Sequence, residues 1–355
     1  MPTIGRRKSL RKTDFDTVSM VDIAEKVGVS IATISRVLNN SPKVHNETRS
    51  KVLQAMNQTN MARRSYMGRR HFNVGISLSY FSKGLLQDAF INECVAGVLE
   101  VAFYNDFRVQ VLDILASRRS DETYLQCLMD FELDGVVHIA PTEGHIQAIN
   151  EIAGAGFKQV LVGAKTSNTR VGWIDSENIE SSKRAIKYLT SMGHRRIAVV
   201  AGPLEFRDHK ERVEGYRLAL KEAGIEPDPS LQVSTRQIST KGSCTVDLLT
   251  RNAGITAIYY TNSTLAIGGL KACQSMNIRV PDDLSIITFG DSSLPEHLEP
   301  PLTYIYQPAF EIGRMAAQQI IGEIKHRDNA LKQVEIEPDF FINSSTGPCS
   351  PTKNS

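Results

Sequence analysis

The sequence predicts a small all-α head followed by an α/β body that contains two doubly wound parallel sheets. Two short helical patterns separated by a glycine turn occupy residues 19–38, and from residue 73 onward short β-rich runs alternate with longer helical stretches. The charge changes sign at the same point, because residues 1–73 carry 14 Lys/Arg against 5 Asp/Glu and the remainder carries 27 against 34. A basic head on an acidic body is typical of a phosphate-binding module joined to a second domain.

The head begins with a helix-turn-helix pattern. Ser19 and Asp22 form a helix start that resembles a capping box, and apolar residues then recur on one face. Gly28 provides a permissive turn, and Ser30 is a good N-cap for a second helix from Ile31 to about residue 38. The positions of this second helix that we expect to point inward are Ile34, Val37 and Leu38.

The outer face of the second helix carries small and apolar residues at its N-terminal end. The residues on that face are Ile31, Ala32, Ser35 and Arg36. An ordinary solvent-facing helix would carry long polar groups here, whereas small residues fit the base edges of a major groove. A third helix that starts near Asn46 completes a helix-turn-helix DNA-binding domain over residues 18–60. A plain three-helix bundle is the alternative interpretation.

The body shows strand and helix patterns in alternation. Such alternation predicts parallel sheets that are covered on both faces, and the run is long enough for two such units. The helical patterns include 178–192, 210–223, 264–276 and 308–324. The predicted strands are 73–78, 108–114, 135–139, 159–162, 196–200, 257–260, 284–289 and 303–306.

Three motifs of the head resemble the lactose/galactose repressor (LacI/GalR) family of bacterial transcription regulators. They are Asp22-Ile23-Ala24, Gly28-Val29-Ser30 and Ala32-Thr33-Ile34-Ser35-Arg36-Val37-Leu38-Asn39. The resemblance implies that bases are read by Ile31, Ala32 and Arg36. It implies that phosphates are held by Thr33, Ser35, Asn39 and Thr48, a division that also fits their chemistry.

The body resembles the regulatory domain of the same family, which shares its fold with periplasmic sugar-binding proteins. The matching motifs include Asp134-Gly135-Val136-Val137, Arg212-Val213-Glu214-Gly215-Tyr216 and Val280-Pro281-Asp282-Asp283-Leu284-Ser285. The resemblance implies an effector-binding and dimerisation domain over residues 73–345, before a tail at 346–355. It also implies crossovers near 175–178 and 303–307 and a third near the C-terminus. The expected N-subdomain is about 73–176 and 304–329, and the C-subdomain is about 177–303 and 330–345.

Polar residues that follow predicted strands are the candidates for a ligand cleft, because open α/β sheets bind ligands at the carboxyl ends of their strands. Arg212, Asn262 and Asp291 offer a guanidinium, a carboxamide and a carboxylate that suit a sugar or a sugar acid. In the family, the matching arginine and asparagine contact the effector. Tyr80 and Phe81 follow the first strand and could stack on the ligand, although each aromatic alone is more often a core residue.

Two positions of the cleft depart from the family pattern. The family commonly has Asn-Asp where this chain has Asn262-Ser263, and the usual effector-contacting aspartate is replaced by Gly290. Some members, including repressors of gluconate metabolism, also carry glycine there. The resemblance therefore favours a sugar acid as one candidate effector, with Arg212 paired to its carboxylate.

The segment between head and body, residues 61–72, is expected to be a hinge. The family has a short helix here whose leucine enters the minor groove, but His71 stands where the leucine belongs and a proline is missing. Arg69 is retained as a DNA-contacting residue, with Tyr66 or Met67 as substitutes for the leucine. Residues 1–17 form an expected flexible basic arm that either adds nonspecific DNA affinity or has no role.

The sequence contains no signal for an enzyme, a metal site or a membrane protein. Nucleotide-binding, hydrolase and zinc motifs are missing, so we expect no catalytic residues, no metal and no cofactor. The five cysteines lack paired spacing, and no secretory or membrane-spanning segment is recognised, which favours a cytoplasmic protein. The expected function is a transcriptional repressor that binds operator DNA as a homodimer. The alternatives are a sugar-binding protein of the same body fold without a regulatory role and an NAD-dependent enzyme.

Overall fold

The computed structural model divides the chain into two compact units, residues 1–71 and 72–355. None of the helices in the part that the structure describes is long and apolar enough to cross a membrane. The described residues are 20–38, 43–45, 47–49, 51–52, 55, 72–78, 88–112, 128, 131–154, 156–235, 241–290, 294–326 and 331–349.

The first unit contains helix α1 (Met20–Val27) and helix α2 (Ile31–Leu38). Gly28 adopts a φ of +72° between them, and Ser30 Oγ accepts a hydrogen bond from the Thr33 amide at 3.2 Å. Residues 47–49, 51–52 and 55 are also helical. The helix-turn-helix prediction is therefore confirmed, and the buried core of this unit consists of Ile23, Ala24, Ile34, Val37, Val52 and Ala55.

The first sheet of the body has six parallel strands in the order β11-β5-β4-β3-β1-β2. Helix α3 (Ala89–Tyr104) and helix α9 (Ala309–His326) cover one face, and helix α4 (Glu143–Gly154) covers the other. Burial on both faces explains the continuous apolar runs of its inner strands. The strands are β1 (Asn73–Leu78), β2 (Arg108–Leu112), β3 (Gly135–Ile139), β4 (Gln159–Val162), β5 (Gly172–Ser176) and β11 (Gln333–Ile336).

The second sheet has the order β12-β10-β9-β8-β6-β7, and only β12 is antiparallel to its neighbour. Helices α5 (Asn178–Ser191) and α6 (Arg207–Glu222) pack on one face. Helices α7 (Ser243–Arg251) and α8 (Ser263–Ser275) pack on the other. The strands are β6 (Ile197–Ala201), β7 (Gln232–Ser234), β8 (Ala257–Tyr260), β9 (Ser285–Gly290), β10 (Thr303–Tyr306) and β12 (Asp339–Phe341).

The chain crosses between the sheets three times, and one expected subdomain boundary differs from the structure. Strand β10 pairs with β9 in the second sheet, so the second crossover follows residue 306, within the expected range of 303–307. Strand β11 pairs with β5 in the first sheet, although residues 330–345 were expected in the C-subdomain. The third crossover therefore lies at 337–338. Strand β11 alternates between exposed and half-buried residues, so its sequence carries no buried run that would assign it to either sheet.

Candidate ligand cleft and DNA-reading helix

A cavity of about 70 Å³ lies at the carboxyl ends of the strands, where residues of both subdomains meet. This is where open α/β sheets bind ligands. The first subdomain contributes Asp88, Phe90, Ile91 and Ala140. The second subdomain and its crossover contribute Phe206, Asp208, His209, Arg212, Asn262, Phe289, Gly290 and Gln307.

Arg212 is the central side chain of this cavity, and it is only 3% exposed. Its Nη1 donates to the carbonyl of Thr261 at 2.7 Å and lies 3.5 Å from a carboxylate oxygen of Asp208. Its guanidinium also lies over the ring of Phe289, 3.7 Å from the ring centroid. The protein thus pairs the buried charge on several sides, as a buried guanidinium requires.

Arg212 also contacts both of the first two crossovers. Its Nε donates to Asn178 Oδ1 at 2.9 Å, and its Nη2 donates to Gln307 Oε1 at 3.0 Å. The backbone amide of Gln307 in turn donates to the carbonyl of Gly290 at 2.7 Å. A group that changes the position of Arg212 therefore acts on the connections between the subdomains.

Asn262 is the N-cap of helix α8 and lines the same cavity. Its Oδ1 accepts a hydrogen bond from the Thr264 amide at 2.8 Å, which satisfies one of the unpaired donors of the helix start. The capping bond fixes the carboxamide, so its NH2 group can donate a hydrogen bond to a ligand. Sequence analysis placed Arg212 and Asn262 in the cleft, and both lie there.

Two carboxylates and a histidine were not anticipated from the sequence. Burial opposes the ionisation of Asp208, but the charge that His209 carries when it is protonated and the charge of Arg212 hold the pKa of Asp208 below its ordinary value. Burial raises the pKa of Asp88, and the nearby Asp208 raises it further. Burial lowers the pKa of His209, whose Nδ1 lies 2.8 Å from Thr261 Oγ1. The one signal in the sequence for Asp208 and His209 is their position just before Arg212.

The two departures from the family pattern are neighbours in space. Gly290 lines the cavity, and a Cβ built on it would overlap Ser263 Oγ. Ser263 is buried, and its hydroxyl has no hydrogen-bond partner among the described residues. The glycine at 290 and the serine at 263 are therefore coupled by packing.

A cluster of charged groups lies beside the first crossover. Lys165 Nζ contacts Glu335 Oε1 at 2.5 Å, Glu211 Oε2 at 3.5 Å and Asp175 Oδ2 at 3.9 Å. Asp175 is fully buried, and burial raises the pKa of Asp175 to about 7 although the charge of Lys165 opposes the shift. Trp173, the only tryptophan, lies beside Lys165 but does not line the cavity.

The remaining sequence-predicted cleft residues cannot be placed. Tyr80, Phe81 and Asp291 lie outside the described residues. The aromatic lining of the described wall consists instead of Phe90, Phe206 and Phe289. Of these, Phe289 ends the strand pattern that the sequence analysis used to find the cleft.

The predicted DNA-reading face of α2 is exposed. Ile31 is 49% exposed although it is a large apolar residue, and Ala32 and Arg36 are exposed beside it. Thr33 is half-buried and its hydroxyl lies 2.9 Å from Ser30 Oγ, while Thr48 is half-buried. Asn39, Arg69 and the side chain of Ser35 lie outside the described residues.

Comparison with known proteins assigns both parts of the chain. Residues 19–63 match the model of bacterial regulatory proteins of the lacI family, and residues 186–346 match the periplasmic binding protein-like domain. A helix-turn-helix head on a body of this kind defines a class of bacterial regulators. The chain is similar to LacI-family regulators in its head and to the periplasmic binding protein-like domain in its body.

Similar proteins extend over nearly the whole chain. The HTH-type transcriptional regulator DegA of Bacillus subtilis is 29% identical over 337 residues, which cover 93% of this chain and 98% of DegA. The ribose operon repressor of Haemophilus influenzae is 28% identical over 332 residues, which cover 92% of this chain and 98% of that repressor.

Solved structures share the fold. A lac repressor dimer bound to operator and the anti-inducer ONPF has a TM-score of 0.70 at 22% identity, with 93% of this chain and 99% of that chain covered. A complex of the transcriptional regulator CelR with cellobiose has a TM-score of 0.66 at 24% identity, with coverage of 92% and 99%.

Proposed function

We propose that this protein is a sequence-specific transcriptional repressor that binds a pseudo-palindromic operator as a homodimer and is controlled by a small sugar or sugar-acid effector. The observation that carries the proposal is the presence in one chain of an exposed helix face with Ile31, Ala32 and Arg36 and a polar cleft between two subdomains. Neither feature alone distinguishes a regulator from a bundle or a solute-binding protein.

The DNA side of the proposal rests on α2. Ile31 and Ala32, at the start of α2, and Arg36, in its last turn, are assigned to base edges because they are exposed on the helix that enters the major groove in this motif. Thr33, Ser35, Asn39, Thr48 and Arg69 are assigned to phosphates. The surplus of basic residues in the head provides the sequence-independent part of the affinity.

The ligand side rests on the cleft. A ligand that binds one cleft conformation better than the other shifts the balance between conformations and so alters the presentation of the heads. Arg212 and Asn262 are the primary contacts, with Tyr80, Phe81 and Asp291 as further candidates. The bound sugar in the CelR complex supports a carbohydrate ligand for this body.

A homodimer follows from the need to present two heads to two half-sites. The body supplies an exposed apolar surface on α3 and β2, consisting of Leu99, Phe103, Tyr104 and Val111. Burial of such a surface against a second copy would remove it from water. The lac repressor bound to operator is itself a dimer, which supports this assembly.

The alternative functions have less support. A sugar-binding protein of the same body without a regulatory role, working in the cytoplasm, would leave the exposed face of α2 without a purpose. A metalloenzyme would need a set of metal ligands, and the described part of the chain has no cluster of His, Cys, Asp or Glu that could hold a metal.

The test is selection of bound DNA from a random duplex library by the purified full chain. We expect enrichment of one sequence with two inverted half-sites, and a control selection without protein should enrich nothing in common. Recovery of unrelated sequences at a wide range of salt concentrations would show that the head binds DNA without reading bases, and would overturn the proposal.

A further inference from the structure

The charges that line the cavity are unequal. Asp88 reaches it from the first subdomain and Asp208 from the second, whereas Arg212 is the one arginine or lysine among the described lining residues. His209 adds no positive charge near neutral pH because burial lowers its pKa. The described wall is therefore richer in acceptors than in cations.

Arg212 has little capacity left for an anion. A guanidinium has five N–H donors. Nε, Nη1 and Nη2 each donate to a protein acceptor, namely Asn178, Thr261 and Gln307. Nη1 is in addition within ion-pair distance of Asp208, and one face of the group is covered by Phe289. Two N–H groups remain, one on Nη1 beside Asp208 and one on Nη2, so a ligand carboxylate would compete with Asp208 for this guanidinium.

An anionic ligand would also face the carboxylate of Asp208 and, from the other subdomain, the buried carboxyl group of Asp88, whose pKa is raised by burial. Like charges at short range in such a buried place repel strongly, because the effective dielectric is low. Asp88 already accepts the Ile91 amide at 3.3 Å as N-cap of α3, so it cannot turn away without loss of the cap. Hydroxyl or ammonium donors, by contrast, match the exposed acceptor oxygens.

We propose that the cleft selects a donor-rich ligand without negative charge and excludes sugar acids and sugar phosphates, with Asp208 as the specificity-determining residue. This inference rests on the proposed function and narrows its effector class. The aromatic residues Phe90 and Phe206 offer apolar surface to the C–H face of such a ligand. The shared chemistry of the accepted ligands is O–H or N–H donation.

The experiment measures binding of matched ligand sets to the full chain by calorimetry. One set is D-glucose, D-gluconate, D-glucuronate, glucose 6-phosphate and D-glucosamine, and a second set uses ribose and its acid and phosphate derivatives. We expect a neutral or amino member of a set to bind at least about tenfold more tightly than its anionic members. Tighter binding of glucosamine than of glucose would identify ammonium as the donor, and the reverse would identify hydroxyl groups.

Asp208→Asn should reduce the preference for neutral over anionic ligands by about tenfold, because the substitution removes the charge of the side chain and keeps its size. Asp88→Asn is the second variant, since asparagine is also a good N-cap and preserves α3. Asp247→Asn, at an exposed position on α7, is the matched control and should leave the preference unchanged.

Tighter binding of an acid or phosphate than of its neutral counterpart would overturn the charge selection. Binding of no member would overturn the carbohydrate-like donor class. In both cases intact operator binding would leave the regulatory function standing, so the two failures are distinguishable. An unchanged preference in both Asp208→Asn and Asp88→Asn would show that neither carboxylate determines specificity.

Discussion

Arg36 is the residue on which operator discrimination depends in the proposed complex. Its side chain is exposed on the outer face of α2. We expect Arg36→Ala to weaken specific binding by about 1 to 3 kcal/mol and to affect random DNA much less, since a base-edge contact carries discrimination. Titration of operator and scrambled duplexes measures both losses. Equal losses would assign Arg36 to phosphate, and Arg170→Ala in the body serves as a neutral control.

Gly290 and Ser263 form a coupled pair. Gly290→Ala should destabilise the body by about 1 kcal/mol, because the added methyl group overlaps Ser263 Oγ. Ser263→Ala in the same chain should restore most of that loss, since the next nearest atom is Pro295 Cγ at 3.4 Å. Denaturant unfolding of the single and double variants measures the coupling. Additive effects would mean that the two substitutions from the family pattern are independent.

Asp175 is expected to make stability depend on pH. Its folded pKa of about 7 lies above the ordinary carboxyl value of about 3.9. As pH rises between these values the unfolded chain loses the proton first, so the folded state loses stability, and the full penalty is present above pH 7. Asp175→Asn should therefore stabilise the body on the order of 2 kcal/mol at pH 8 and hardly at all at pH 4.

Thermal and denaturant unfolding at the two pH values test this effect. Asp247→Asn, an exposed aspartate, is the control and should show no such dependence. A variant less stable than the parent at pH 8 would show that the pairing of Asp175 with Lys165 outweighs the cost of burial.

At the scale of elements, periodicity predicted the long and apolar segments well. Strands β1, β3, β4, β8 and β10 have the predicted bounds, because each is a buried apolar run between turn residues. The strand predictions missed β5, β7, β11 and β12, in which polar residues interrupt the apolar pattern. Helix α6 begins at Arg207 and not at residue 210, because the charged residues of its first turn hide the period.

The cleft was predictable only in part. Asn262 could be found since it stands just beyond β8, and Arg212 could be found since it lies on the helix that follows β6. Asp88 and Gln307 could not, because they enter the cavity from a helix start and from a crossover whose position depends on which sheet β10 joins. Local sequence patterns contain no information on such pairing between distant segments.

Helices α4 and α6 carry an ion pair that joins the subdomains across the cleft. Lys210 Nζ lies 3.0 Å from Glu143 Oε1, and both side chains are more than half exposed. An ion pair so exposed contributes about 0.2 to 1 kcal/mol of stability to the contact between the subdomains, so we expect it to permit opening of the cleft. A double-mutant cycle with Lys210→Met and Glu143→Gln measures the coupling free energy of this ion pair at low and at high salt. A coupling that salt does not reduce would contradict this expectation.

At the scale of the whole molecule, the charge asymmetry predicts how DNA binding responds to salt. Deletion of residues 1–17, which lie outside the described part, should leave operator specificity intact and make the dependence of the binding constant on salt less steep. The reason is that this segment has five basic residues and no reading face. Binding constants at several salt concentrations give the slope. An unchanged slope would show that the arm does not contact DNA.

The hydrogen bonds of Arg212 to Asn178 and Gln307 matter for anyone who would convert this protein into a biosensor. In the proposed mechanism, ligand recognition and signal output share this side chain, so random changes at position 212 would alter the two together. Retuning for a new analyte should begin at Phe90 and Phe206, which line the cavity without taking part in those bonds. A library restricted to such positions would change which ligand is detected and would leave the hydrogen bonds of Arg212 to Asn178 and Gln307 intact.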